Sequence, residues 1–134
     1  CGEYDLTAQE MYLGLPAETA LECFDFTRYG QRVVEQSRKI PRVLREAPGL
    51  RVECLIGPED TSCFSMTRYC LTDGTAALDV PASIWICIEG SGAVTGENYR
   101  RALHRGDYFF LPAAAEGYAL HGENLQIVCC MGGK

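Results

Sequence analysis

Histidine is almost missing from this chain: His104 and His121 are the only two in 134 residues. No two cysteines stand in CxxC spacing. A tight zinc site built from imidazole and thiolate ligands therefore has little to draw on. Long apolar runs are missing too, and none approaches the roughly 20 residues needed to cross a bilayer. No basic stretch leads into an apolar core of the secretory-signal kind, so the expected location is cytoplasmic, with no membrane partner. Dense basic clusters are likewise lacking. The net charge is −6, and the group Arg38, Lys39, Arg42 and Arg45 is interleaved with Glu35 and Glu46, as on a solvated mixed-charge face. Nucleic acid, whose phosphates call for clustered Lys and Arg, is not an expected partner. No G-x-S-x-G elbow, phosphate loop or dinucleotide fingerprint occurs.

Cysteine, by contrast, is plentiful, with eight residues. In a disulfide-stapled secreted domain they would punctuate turn-rich, core-poor sequence. Here most lie inside apolar runs such as Val52-Glu53-Cys54-Leu55-Ile56 and Trp85-Ile86-Cys87-Ile88. Free cysteine behaves as a small buried hydrophobe in that setting, so reduced core thiols are expected. The chain starts at Cys1 and not at Met, which is the expectation for a piece of a longer polypeptide.

The text changes character near residue 50. Residues 1–40 read as a helical connector packed on a barrel formed by the remainder of the chain. Thr7 and Glu10 have capping-box spacing, and Gly14 is placed to stop the helix. Pro16 opens a second helical stretch with Ala17, Ala20, Leu21 and Phe24 on one face. A short charged helix is signalled over residues 31–39, and Pro41 begins an extended segment. Residues 41–134 read as short strands: 50–56, 62–71, 75–80, 82–89, 92–95, 98–103, 107–112, 116–120 and 124–130. Their breaks carry turn chemistry, at Asp73-Gly74, Gly90-Ser91-Gly92, Gly96-Glu97-Asn98, Arg105-Gly106-Asp107 and Gly122-Glu123-Asn124. Gly90 with Gly92, and Gly106 with Asp107, are expected to make tight strand-to-strand reversals. This pattern is that of a mainly β sandwich or barrel. The run 82–89 is apolar at consecutive positions, as in a strand covered on both faces.

Two stretches carry a recognisable pattern: Ile86-Cys87-Ile88-Glu89-Gly90-Ser91-Gly92-Ala93-Val94-Thr95-Gly96 and Arg105-Gly106-Asp107-Tyr108-Phe109-Phe110-Leu111-Pro112-Ala113. In this order and at this separation they resemble the two sequence blocks of the cupin superfamily, which implies a jelly-roll β-barrel. Metal cupins supply two His and a Glu from the first block and a His from the second. Here residues 77–83 and 113–118 hold none of those imidazoles, and Gly117 stands near the position of the last. No metal ligand is therefore assigned, and neither His104 nor His121, each beside a turn, is placed as one.

The likeness extends further. Gly14-Leu15-Pro16-Ala17-Glu18-Thr19-Ala20-Leu21-Glu22-Cys23-Phe24-Asp25, Pro41-Arg42-Val43-Leu44, Leu55 to Thr61 and Cys63-Phe64-Ser65-Met66 look like the connector and second cupin barrel of type I, zinc-dependent mannose-6-phosphate isomerases. That resemblance implies a non-catalytic C-terminal domain of an aldose–ketose isomerase. Its zinc and catalytic residues would lie in an N-terminal domain, the expected partner, and a face once turned to it would be apolar and able to self-associate. This chain alone would be inactive, with no catalytic residue assigned. The alternative is a stand-alone metal-free cupin that binds a sugar or other small molecule. Tyr69, Trp85 and Tyr118 are the candidate pocket residues, because aromatic rings at a barrel mouth offer a stacking surface, although strand aromatics equally suit a core. Glu89 and Glu116 are the one carboxylate pair considered, with Glu89 more simply an exposed residue before a turn.

Overall fold

The computed structural model describes residues 5–133. The chain divides into two units between Arg38 and Lys39. In the first, α1 (Ala8–Met11) starts with the expected capping box: Thr7 Oγ1 accepts from the Glu10 N–H at 3.3 Å, and Glu10 Oε2 accepts from the Thr7 N–H at 3.0 Å. Two further short helices come next, α2 (Ala17–Leu21) after Pro16 and α3 (Gln31–Ser37). Neither contains a buried residue.

The second unit is a seven-stranded antiparallel sheet. Its strands are β1 (Arg42–Ala47), β2 (Leu50–Ile56), β3 (Phe64–Ala77), β4 (Ser83–Gly96), β5 (Tyr99–His104), β6 (Tyr108–Leu111) and β7 (Ala119–Gly132). The order across the sheet is β1-β2-β3-β7-β4-β5, with β6 also paired to β4. The mainly β, cupin-type architecture expected from the sequence is what the chain adopts.

Three expected reversals are not reversals. Asp73-Gly74, Gly90-Ser91-Gly92 and Gly122-Glu123-Asn124 lie inside the 14-residue strands β3, β4 and β7, where the pairing register slips. Asp73, Gly90 and Asn124 have positive φ (74°, 74° and 60°), a conformation that serves a β-bulge as readily as a turn. Thr72, Glu123 and Ser91 are mutually in register across the three strands, so the irregularities line up and bend the sheet along one line. At Gly90 the bend is tight: a Cβ there would sit 1.8 Å from the Asn124 carbonyl oxygen.

Gly106 is a second correction. β5 and β6 both run antiparallel to β4 and hence in the same direction, so Gly106 (φ 93°) makes a jog and not a hairpin. The jog stays attached to the edge: the Gly106 N–H donates to the Cys87 carbonyl at 2.9 Å, and the Cys87 N–H to the Asp107 carbonyl at 2.8 Å. By contrast, Glu97-Asn98 closes a true two-residue hairpin between β4 and β5.

Folding along the bulge line brings distant strands together. Leu50 and Val52 of β2 share one core with Leu103 of β5, although three strands separate them in the sheet. Trp85, Leu71, Leu120, Leu125, Ile127 and Cys129 fill that core. Each such side chain contributes about 1.5–3 kcal/mol on burial. Over residues 83–88 of β4 the alternation is strict. Ser83, Trp85 and Cys87 are buried, while Ile84, Ile86 and Ile88 are 49%, 39% and 40% exposed. The run is apolar on both faces, as its sequence indicates, but only one face is buried.

Candidate functional site

The barrel mouth forms where β4, β5 and the 112–118 loop converge. Period-two alternation along β5 sets what enters it. Leu103 is fully buried, so Arg101 and Tyr99, two and four residues earlier, fall on its side of the strand. Arg101 pairs with the buried Val94 of β4, and Tyr99 with Gly96. The loop is shaped by the Ala115 N–H donating to the Pro112 carbonyl at 3.0 Å and by positive φ at Gly117. It is fastened where the Leu78 N–H donates to the Tyr118 carbonyl at 2.9 Å. Gly96 leaves room for the Tyr118 ring, since a Cβ there would lie 2.8 Å from it. Tyr118 in turn meets Tyr99 edge-on at 5.9 Å.

These walls border an open concavity of about 780 Å³, with Tyr99, Arg101, Phe109, Glu116 and Tyr118 among its lining residues. That is the size range of small-molecule sites, which pair apolar and aromatic walls with a few convergent polar groups. Arg101 and Glu116 have no ion-pair partner among the described residues. A second, smaller concavity of about 290 Å³ lies around His121, lined by Asp73, Thr75, Ser91, Arg100 and Glu123 among others.

The three pocket candidates separate. Tyr118 lines the mouth. Trp85 is fully buried in the core, 5.0 Å from the Tyr69 ring and stacked on Phe109 at 6.0 Å. Its indole N–H donates to Ser83 Oγ at 3.0 Å. Tyr69 packs against the same core, and desolvation pushes its phenol up to about 12. Phe109 links this aromatic stack to the cavity. Glu89 and Glu116 do not share the cavity, and Glu89 accepts from Gln126 Nε2 at 2.6 Å instead.

The donors present do not fit a cupin metal. His104 is exposed on the β5–β6 jog beside Asp107. His121 follows the buried Leu120 and so faces away from the core, its Nδ1 3.0 Å from Thr75 Oγ1 and its Nε2 2.9 Å from Thr95 Oγ1. Among the described residues no three His, Cys, Asp or Glu side chains are grouped to hold an ion. Burial raises the core thiols, Cys129 to about 11. No described helix is long and apolar enough to cross a membrane.

Fold and mouth together define a cupin-superfamily domain. More narrowly, residues 58–131 match the model of the mannose-6-phosphate isomerase cupin domain, and the chain belongs to that family. Among solved structures it resembles mannose 6-phosphate isomerase from Bacillus subtilis (TM-score 0.58, 22% identity), over 69% of this chain and 28% of that one. It also resembles KdgF from Halomonas sp. (TM-score 0.55, 13% identity, 69% and 87% covered). Ectoine synthase from P. lautus is a third (0.56, 17%, 66% and 67%). Identities this low establish the shared fold alone. The chain spans little more than a quarter of the Bacillus isomerase. No curated protein sequence matches it.

Proposed function

We propose that this cupin domain binds a sugar or other small polar molecule in the mouth between β4, β5 and the 112–118 loop. The observation that carries this reading is the 780 Å³ concavity with an unpaired guanidinium and carboxylate set among aromatic walls. Tyr99 and Tyr118 supply faces for a ring or an aliphatic chain, and Arg101 and Glu116 supply polar recognition. Calorimetric titration of the chain with sugars and sugar acids tests it. Saturable binding that is lost on Tyr118→Ala supports the site, and binding insensitive to that change places the ligand elsewhere.

A second reading is favoured by the family match and by the fraction of the Bacillus isomerase that the chain spans. Here the domain is the non-catalytic second cupin of an isomerase of that type. A zinc-bearing catalytic domain of the same polypeptide is its partner, and the apolar outer face of β4 and β6 turns towards it. Isomerisation of mannose 6-phosphate, assayed with added zinc for this chain and for the product of the complete gene, tests this. Turnover confined to the longer product is expected, and no turnover in either sinks the reading.

A further inference from the structure

From the mouth we infer that its ligand is a small hydroxylated monocarboxylate, anchored by Arg101 and turned by Glu116. The inference rests on the mouth being the binding site, and it adds the chemical class. Arg101 lies on the Leu103 side of β5, exposed at the mouth, and no carboxylate stands within ion-pair distance among the described residues. A guanidinium beside apolar and aromatic walls (Val94, Phe109, Leu111) is the arrangement that gains most from a planar oxyanion, through two parallel N–H donations. Glu116 lines the same cavity and is likewise unpaired. Its carboxylate accepts hydrogen bonds only, so it favours a hydroxyl donor and repels a second negative charge. One cation and one anion lining the same concavity thus select a ligand with one negative end and a hydroxylated end. A dianionic phosphate would bring its extra charge towards Glu116. The tyrosine pair at 5.9 Å forms a wall against which the carbon chain lies.

Calorimetry on the full chain with gluconate, glucose and glucose 6-phosphate tests this, alongside Arg101→Gln, Glu116→Gln and, as a control, Arg100→Gln in the His121 concavity. Gluconate should bind most tightly, with glucose about 10- to 100-fold weaker, the worth of one hydrogen-bonded charge pair. Arg101→Gln should weaken gluconate by a similar factor and glucose by much less, with the melting temperature unchanged. Arg100→Gln should change nothing, and Glu116→Gln should narrow the gap between glucose 6-phosphate and gluconate. Equal affinity for glucose and gluconate, or indifference to Arg101→Gln, overturns the anion anchor and leaves the mouth a neutral-sugar site. Tighter binding of glucose 6-phosphate overturns the choice of a carboxylate. If no ligand of the three gives saturable heat with folded protein, the mouth itself is not a binding site and both readings fall.

Discussion

Arg68 and Glu53 stand opposite each other on the β2–β3 ladder, and the guanidinium donates to one carboxylate oxygen from both Nε (2.9 Å) and Nη2 (2.5 Å). Arg51 Nε donates to the other oxygen at 2.9 Å. Glu53 is buried, at 5% exposure, so these donors replace its lost water. The hydrogen bond from Arg68 is the main reason its pKa lies below the usual 4.5; burial opposes the shift less strongly. A carboxylate with a lowered folded-state pKa stabilises the fold above its unfolded pKa, and that contribution disappears as pH falls through the folded value. Glu53→Gln should therefore cost about 1–3 kcal/mol at pH 7. The deficit should shrink as pH drops below about 4.5. Urea midpoints of both proteins across roughly pH 3–7 measure this, and a deficit independent of pH would refute it.

The indole N–H of Trp85 has Ser83 Oγ as its partner in a fully buried setting. Ser83→Ala should strand that donor at a cost of about 1–3 kcal/mol. In a Trp85→Phe background, which has no donor, the same change should cost only about 0.5 kcal/mol. A double-mutant cycle by chemical denaturation gives the coupling directly. Equal costs in both backgrounds would mean that the bond contributes nothing.

Gly90 combines positive φ with a Cβ position 1.8 Å from a backbone oxygen. Neither feature tolerates a side chain, so Gly90→Ala should lose at least about 2–3 kcal/mol or fail to fold. Gly106→Ala is the matched control: it too has positive φ, but a Cβ there meets nothing within 4 Å, and its loss should be about 1 kcal/mol. Thermal melts of the two variants separate conformational strain from collision. Equal losses would show that collision at the bulge is relieved at no cost.

Thiol reactivity should follow burial. Cys23 and Cys63 are exposed, whereas Cys87 and Cys129 are buried, and desolvation holds both buried thiols protonated at neutral pH. The thiolate is the reactive form. Pulsed alkylation read by mass spectrometry should label Cys23 and Cys63 within seconds to minutes and spare Cys87 and Cys129 until denaturant is added. Native labelling of Cys129 at the rate of Cys63 would contradict the packing described.

The residues that declare the fold are those whose local chemistry has one outcome. Strand β2 begins and ends where the pattern places it, and Thr7 and Glu10 form their capping box. The glycine and asparagine signals near residues 73, 90 and 124 are legible as irregular backbone but not as continuing strand. Positive φ is shared by turns and bulges, and long-range pairing decides between them. For the mouth, aromatic character alone points to Tyr69, Trp85 and Tyr118. It cannot separate rings that close a core from a ring that lines an opening. Arg101 carries a usable signal that composition hides: it stands two residues before Leu103 on a short strand, and so on the same face. Gly96 reads as a turn glycine, and its second role, making way for the Tyr118 ring, depends on a neighbour 22 positions away.

In strand β4, Ile84, Ile86 and Ile88 are as apolar as the Trp85 and Cys87 they alternate with. A strand ordinarily finds its partners because a slip by one residue would turn its oily side outward. Here such a slip would exchange one oily side for another, so hydrophobicity does not fix the alignment. What fixes it is shape and polarity at single points: the bulge at Gly90, which admits no other residue against Asn124, and the serine that must meet the indole two residues on. The alignment of β4 is thus held by two small residues, Ser83 and Gly90, and variants at either should be sought among misfolded and aggregated species as well as in melting curves.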